Sequence, residues 1–330
     1  MSPLLSITAR AVDRPLKEPF VIATHRWTSI PVVVVEARRG GAVGRGEGTP
    51  LFYRPETAAR LADQARAVSD ALAEGGGRGL AAQLLPPNGA RCAVDAALWD
   101  LEAKERGEPV WRLAGAAEPR AVLTVNTVIL GAPEAMAASA AALSQQFPLL
   151  KLKLGAEGDA ERLSAIRAAA PEARLVVDAN AGWRPQDLEA LTPALLSARV
   201  EMVEQPLPVG EDDALEGYDG PLRLCADESF QTLEDLERCA RRYAMVNVKL
   251  DKCGGLTAAL AIASLAERLG VGLMVGNMMG SSLGMAPAHL FAQRCALADL
   301  DGPLHLAADE DPPLRFASGM AAPPDEALWG

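Results

Sequence analysis

Eight short apolar runs follow one another at a near-constant interval through the second half of the chain. They are VLTVNTV (122–128), PLLKLKL (148–154), ARLVVDAN (173–180), VEMVEQP (200–206), LRLCADES (222–229), AMVNVKLD (244–251), VGLMVGN (271–277) and ALADLD (296–301). From the second run onward they end at Lys153, Asp178, Glu204, Asp227, Lys249, Gly276 and Asp299, 22 to 27 residues apart. That interval is the length of a strand plus a crossover helix. Helical patterns fill the gaps, at 160–170, 185–198, 233–243 and 256–269. Strands alternating with helices predict an α/β chain folded as a (β/α)8, TIM-type barrel. The rival, an open doubly wound sheet, normally carries a glycine fingerprint after its first strand, and none is present.

Residues 1–118 lack this rhythm. ITARAVDRPL (7–16) and PVVVVEARRG (31–40), the latter closed by a GG turn, read as meander strands. Helices are expected over 56–73 and 88–106, with a Gly/Pro-rich break (GGGRGL, LLPPNG) between them. This is an α+β domain, followed by a barrel over 119–310. A Pro-rich tail (311–330) leaves the barrel.

Composition narrows the function. A net charge of −11 argues against a nucleic-acid partner. Five scattered cysteines without a CxxC fit reduced thiols, and the N-terminus lacks the apolar core of a signal peptide, so a cytoplasmic setting is expected. Residues 269–293 carry no Asp, Glu, Lys or Arg, but five glycines and a proline make them a strand, a loop and a helix start rather than a membrane span.

Lys occurs only six times against 26 Arg, and four of the six fall in KLK (151–153) and KLDK (249–252). Arg stays protonated where Lys can release its proton. In a barrel the strand C-termini converge on one mouth, the usual seat of chemistry. Charges at the ends of apolar runs need partners, because unpaired buried charges are costly. Asp178, Glu204 and Asp227 end three successive strands, and three hard carboxylates suit Mg²⁺, one per subunit. The bland reading is a buried lysine–carboxylate network. Three dispersed histidines and no CxxC or HExxH speak against zinc. Lys151 and Lys153, two apart on a strand, point into the lumen, with Leu150, Leu152 and Leu154 opposite. Crowding by cations and desolvation are expected to lower their pKa and make an amine base. Lys249 lies four strands on, sharing its face with Asp251. Lys252 is expected to make a salt bridge without chemistry.

These residues resemble the muconate-lactonizing-enzyme subgroup of the enolase superfamily. KLKLG (151–155), VDAN (177–180), EQP (204–206), ADES (226–229), KLDKCGGLT (249–257) and VDAALWDLEAKERG (94–107) carry the likeness in order and spacing. The resemblance implies a modified barrel under an N-terminal capping domain that also takes in the tail. It implies Mg²⁺ on Asp178, Glu204 and Asp227, an acid/base couple of Lys153 and Lys249, and Lys151 supporting Lys153 and helping to bind the substrate carboxylate. Asn180 and Asp251 would stand behind these. Barrels of this subgroup often associate, so a homo-oligomer is expected.

ADLDGP (298–303) is similar to the Asp-x-Asp of dipeptide epimerases, where Asp299 and Asp301 would grip the substrate ammonium from one strand face. Their plainer role is a helix N-cap or turn. Thr127 matches a substrate-contacting position. Two departures stand out. The loop arginine that reads glutamate in Ala-Glu epimerases aligns with Trp27, with Arg26 one residue early, and Asn277 stands where relatives often carry cysteine. The expected function is Mg²⁺-dependent epimerisation of a dipeptide by 1,1-proton transfer through an ene-diolate, with loops 20–30 and 49–53 closing over the substrate. An N-acylamino-acid racemase, an o-succinylbenzoate synthase or a muconate cycloisomerase would use the same machinery. A non-catalytic metal- or ligand-binding barrel is the rival from another class.

Overall fold

The computed structural model describes residues 4–22, 24–73 and 75–330. Met1–Pro3 of the N-terminal reading and Ala23 of the cap loop lie outside the described residues. Alternation in the first fifty residues builds an antiparallel sheet of β1 (Ser6–Val21), β2 (Arg26–Arg39) and β3 (Ala42–Gly48), in that order. Both faces of β2 are covered: Val33, Val35 and Ala37 pack under helices, while Ile30, Val32 and Val34 join the large core shared with the barrel.

Helices α1 (Ala58–Ala67), α2 (Ser69–Ala73), α3 (Gly77–Leu84), α4 (Gly89–Arg106) and α5 (Val110–Leu113) follow. α3 corrects the expected break. Its glycines disfavour helix, but burial of Ala81 and packing of Leu80 against the helical core outweigh that weak local preference. β3 (AVGRGEG) lay outside the expected strands because alternate glycines replace its apolar residues. A Cβ at Gly44 would stand 2.0 Å from the Ala97 carbonyl oxygen, and one at Gly46 2.1 Å from that of Ala93. The glycines let the strand lie directly on the α4 backbone.

The barrel strands are β4 (Val122–Leu123), which joins the tail, then β5 (Asn126–Val128), β6 (Leu149–Lys153), β7 (Arg174–Asp178), β8 (Val200–Glu204), β9 (Leu224–Ala226), β10 (Met245–Lys249), β11 (Gly272–Gly276) and β12 (Leu297–Ala298). β5 to β12 form one eight-stranded sheet in sequence order, with parallel pairings throughout. It curls until Thr124 bridges Ala298, with Val125 N donating to the Ala298 carbonyl at 3.0 Å. The crossovers carry α6 (Pro133–Leu143), α7 (Asp159–Ala169), α8 (Pro185–Ser197), α9 (Leu236–Ala240), the short α10 (Leu250–Cys253), α11 (Leu256–Leu269) and α12 (Ser282–Ala292). Only a 3₁₀ turn, Asp212–Leu215, stands between β8 and β9, so the barrel is a modified one. Residues 269–293 resolve into β11, a loop and α12. Among the described residues no helix is long and apolar enough to cross a membrane.

One inward residue from each run plugs the floor of the lumen: Val125, Leu149, Val176, Met202, Cys225, Met245, Met274 and Leu297. Charge therefore appears only one layer higher, toward the strand C-termini. After α13 (Gly302–His305), β13 (Phe316–Ala317) pairs with β14 (Met320–Ala321), and β14 with β4. The tail then returns to α4, where Trp329 Nε1 donates to the Ala96 carbonyl at 3.0 Å. From the same helix, Asp95 accepts from Thr257 N at 3.0 Å and satisfies the otherwise uncapped start of α11.

Candidate active site

Strand alternation sends Lys151 and Lys153 of β6 into the lumen and Leu150, Leu152 and Leu154 into the outer core. The parallel register then sets Lys153 beside Asp178, and Asp178 beside Glu204. Asp227 follows the last residue of β9. All three carboxylates are buried, and one oxygen from each lies within 4.8 Å of the others. Lys151 Nζ sits 2.7 Å from Glu204, 3.0 Å from Asp299 and 3.1 Å from Asp178. Lys153 Nζ donates to Asp178 Oδ2 at 2.7 Å. Across the barrel, Lys249 Nζ stands 2.7 Å from Asp227 Oδ2. Lys252 makes the expected salt bridge, at 2.6 Å to Asp227 Oδ1. The buried ion network and the acidic triad are thus the same atoms.

The fall in lysine pKa is expected beside a bound cation; around the bare carboxylates Lys151 shifts the other way. Burial pulls the Lys151 and Lys249 amines down, yet adjacent carboxylates outweigh it. Asp178, Glu204 and Asp299 hold Lys151 well above its ordinary value, and Asp227 and Glu204 raise Lys249. Burial followed by the Asp178 charge lifts Glu204. Three clustered carboxylates of hard oxygen donors fit a divalent cation such as Mg²⁺, which would take the place of ammonium groups as their counter-charge.

Two supporting residues lie in or beside the quoted motifs but were not singled out. Asn247, inward on β10, donates to Glu204 Oε1 at 2.7 Å. Gln205, fully buried at φ 34°, accepts from the backbone N–H groups of Asp227 (2.9 Å) and Ser229 (3.0 Å), which fixes the third carboxylate. Asn180 takes its backbone N–H to Asp178 Oδ1 at 2.9 Å, and its side chain approaches Glu228 at 3.4 Å.

At the closing edge of the barrel, β12 ends at Ala298, so Asp299 and Asp301 do not share a strand face; they follow it. They nevertheless line one cavity. Asp299 is held by Lys151 and by Asn277 Nδ2 at 3.0 Å. Asp301 Oδ2 accepts from Thr127 N at 2.8 Å and lies 3.3 Å from His305 Nε2. Asp301 occupies the N-cap position of α13 without capping it through its side chain. Asp251 is a second correction. β10 stops at Lys249, and Asp251 turns away on α10, where its Oδ1 accepts from Thr49 N at 2.8 Å. Burial raises its pKa to about 7.

The cavity encloses about 320 Å³ between barrel mouth and cap. Lys151, Lys153, Lys249, Thr127, Asn180, Asn277, Asp299 and Asp301 face it from the barrel, and Trp27 from the cap. Arg26 is exposed and lies outside the lining, because successive β2 side chains take opposite faces. Also on the wall are Phe20, His25, Phe52, Tyr53 and Glu228. Single aromatic residues scattered through a domain carry no local signal in the sequence.

A curled parallel sheet, an antiparallel cap and a lysine-flanked acidic triad place the chain among the capped-barrel isomerases, in the racemase and epimerase class. Residues 5–115 match the mandelate racemase / muconate lactonizing enzyme N-terminal domain, and residues 135–327 the enolase C-terminal domain-like family. The chain is 44% identical to the L-Ala-D/L-Glu epimerase of Escherichia coli (strain K12) over 306 residues, covering 92% of this chain and 95% of the relative. A crystal structure of an enolase family member from Agrobacterium tumefaciens with homology to dipeptide epimerases, with bound sodium and L-Ala-L-Glu, superposes at TM-score 0.96; it is 41% identical and covers 99% of this chain and 100% of its own. A dipeptide epimerase from Enterococcus faecalis V583, complexed with Mg and L-Leu-L-Tyr, superposes at TM-score 0.90 with 27% identity and 98% coverage of both chains. The chain belongs to the mandelate racemase / muconate lactonizing enzyme family.

Proposed function

We propose that the enzyme is a Mg²⁺-dependent dipeptide epimerase, inverting the α-carbon next to the terminal carboxylate by 1,1-proton transfer. The observation that carries this reading is the placement of Lys153 and Lys249, four strands apart, on one cavity with the triad between them. Asp178, Glu204 and Asp227 would hold the ion. Bound there, Mg²⁺ supplies Lewis-acid stabilisation of charge developing on the substrate carboxylate. Lys151 binds that carboxylate and helps carry the ene-diolate charge. One of Lys153 and Lys249 takes the α-proton, and the other returns one from the opposite face. Asp299 and Asp301 accept the substrate's ammonium, while Asn277 and Thr127 hold the two aspartates in place. The cap loops exclude water. The relatives described above support a dipeptide substrate by their names and bound ligands. Residues 1–118 would form the cap with tail 311–330, consistent with Trp329 against α4. Five free thiols fit a cytoplasmic enzyme.

Incubating dipeptides with enzyme and Mg²⁺ in D₂O tests the proposal. Deuterium at one α-carbon, together with inversion there, is expected. Exchange of N-acyl amino acids and of no dipeptide would overturn it.

A further inference from the structure

With the substrate carboxylate at Lys151 and its ammonium at Asp299 and Asp301, most of the remaining wall of the cavity belongs to the cap. That wall is a continuous aromatic surface. The His25 ring stacks on Trp27 at 5.3 Å and 12°, and Phe52 meets Trp27 edge-on at 5.3 Å and 74°. Phe52 in turn packs edge-on against Tyr53 at 5.1 Å, and Phe20 closes the other side of Trp27 at 6.5 Å. Ring-on-ring contact leaves each side chain little freedom, so the surface is formed before substrate arrives.

The cap offers that wall no free cation among the described residues. No lysine or arginine of the cap is among the described lining residues. Arg26 is exposed, and Arg54 turns to Gln231 Oε1 at 2.6 Å. Glu56 lines the wall with its Oε2 fixed by Leu51 N at 3.0 Å, and Glu228 lies below it with a buried oxygen that lacks a hydrogen-bond partner. The His25 ring is held by the Trp27 stack and by Thr24 Oγ1, 2.9 Å from its Nδ1. A carboxylate entering here would lose water and meet no Arg or Lys of the cap in the lining, since Arg54 is taken up by Gln231 and by Glu56 at 3.7 Å. A flat or branched apolar group would instead bury its surface against rings.

We infer that the cavity selects an apolar or aromatic side chain, and rejects an acidic one, at the residue whose α-carbon is inverted. Trp27 and Phe52 are the specificity-determining residues. The inference rests on the dipeptide reading and concerns only its second residue.

The test is kcat/KM for L-Ala-L-Phe, L-Ala-L-Leu, L-Ala-L-Glu and L-Ala-L-Lys, read by deuterium uptake with Mg²⁺ present. L-Ala-L-Phe and L-Ala-L-Leu are expected to exceed L-Ala-L-Glu by at least about ten-fold. Trp27→Arg should narrow that ratio by about ten-fold or more, mainly by raising KM for the aromatic dipeptide and lowering it for the acidic one. L-Ala-L-Glu or L-Ala-L-Lys turned over as well as L-Ala-L-Phe by the unmodified enzyme would overturn the inference and leave epimerisation standing. No exchange of any dipeptide would remove the epimerase reading itself, and the inference with it.

Discussion

Lys153 holds Asp178 at 2.7 Å while Lys249 holds Asp227 at the same distance from the other side of the barrel. The two amines therefore bracket one carboxylate triad, with Glu204 between its neighbours and pinned by Lys151 at 2.7 Å. A cluster that balances three carboxylates against four lysines is a strong electrostatic unit, and its parts respond differently to change.

Metal addition should stabilise the fold. A ligand that binds only the native state at a hundred times its Kd contributes about 2.7 kcal/mol. Thermal melts with and without Mg²⁺ should show a rise in Tm that Glu204→Gln reduces sharply, and chelation should abolish turnover. An unchanged Tm at millimolar Mg²⁺ would count against the triad as the ion site.

Lys252 should matter to stability in the metal-free state. It is fully buried against both the side chain and the carbonyl of Asp227. Lys252→Met leaves part of a buried carboxylate charge uncompensated and should cost about 3 kcal/mol. Denaturant unfolding should show the loss, and Mg²⁺ should recover part of it, since a cation on Asp227 supplies the missing charge.

Asp251 predicts a pH-dependent effect. Its carboxyl rises from 3.8 to about 7 through burial, so the folded state favours the protonated form. Its stabilising contribution is full below pH ~4 and is lost as pH rises to ~7, a swing on the order of 2–4 kcal/mol. Asp251→Asn, which keeps an acceptor for Thr49 N, should match the parent at pH 4 and melt higher at pH 8. Equal melting points at both pH values would contradict this.

Gly46→Ala should destabilise the cap. Its Cβ would lie 2.1 Å from the Ala93 carbonyl oxygen, forcing β3 off α4 at a cost of about 1–3 kcal/mol. Urea unfolding of the variant measures it. Gly41→Ala, with open space around the new methyl, is the control and should be neutral in packing terms.

The barrel was legible because its charges end apolar runs, where nothing but a shared mouth explains them. Lys153, Asp178 and Glu204 fall at the last positions of β6, β7 and β8 for that reason. β3 and α3 were not legible, since Gly44 and Gly46 act through the backbone of α4, and Ala81 earns its helix only by burial. Asp251 misled because a strand can pass into a helix within one residue without changing the apolar pattern. Trp27 and loops 20–30 and 49–53 are legible over the substrate, but the aromatic wall is not, because it forms by pairing Phe20 with Trp27 across the β1–β2 hairpin and bringing Phe52 in from the segment after β3. The contact between Lys151 and Asp299 is not legible either, because Asp299 comes from the far end of the chain to lie 3.0 Å from the amine.

Proton transfer by two bases on opposite faces is tested most directly by the handedness of exchange in Lys153→Ala and Lys249→Ala. Each variant, folded and loaded with Mg²⁺, is given both epimers of a turned-over dipeptide in D₂O and followed by proton NMR. Each should lose inversion by about 10³-fold or more while washing deuterium into one epimer only, and the favoured epimer should differ between the two. Inversion surviving in either variant, or both variants exchanging the same epimer, would contradict the two-lysine account.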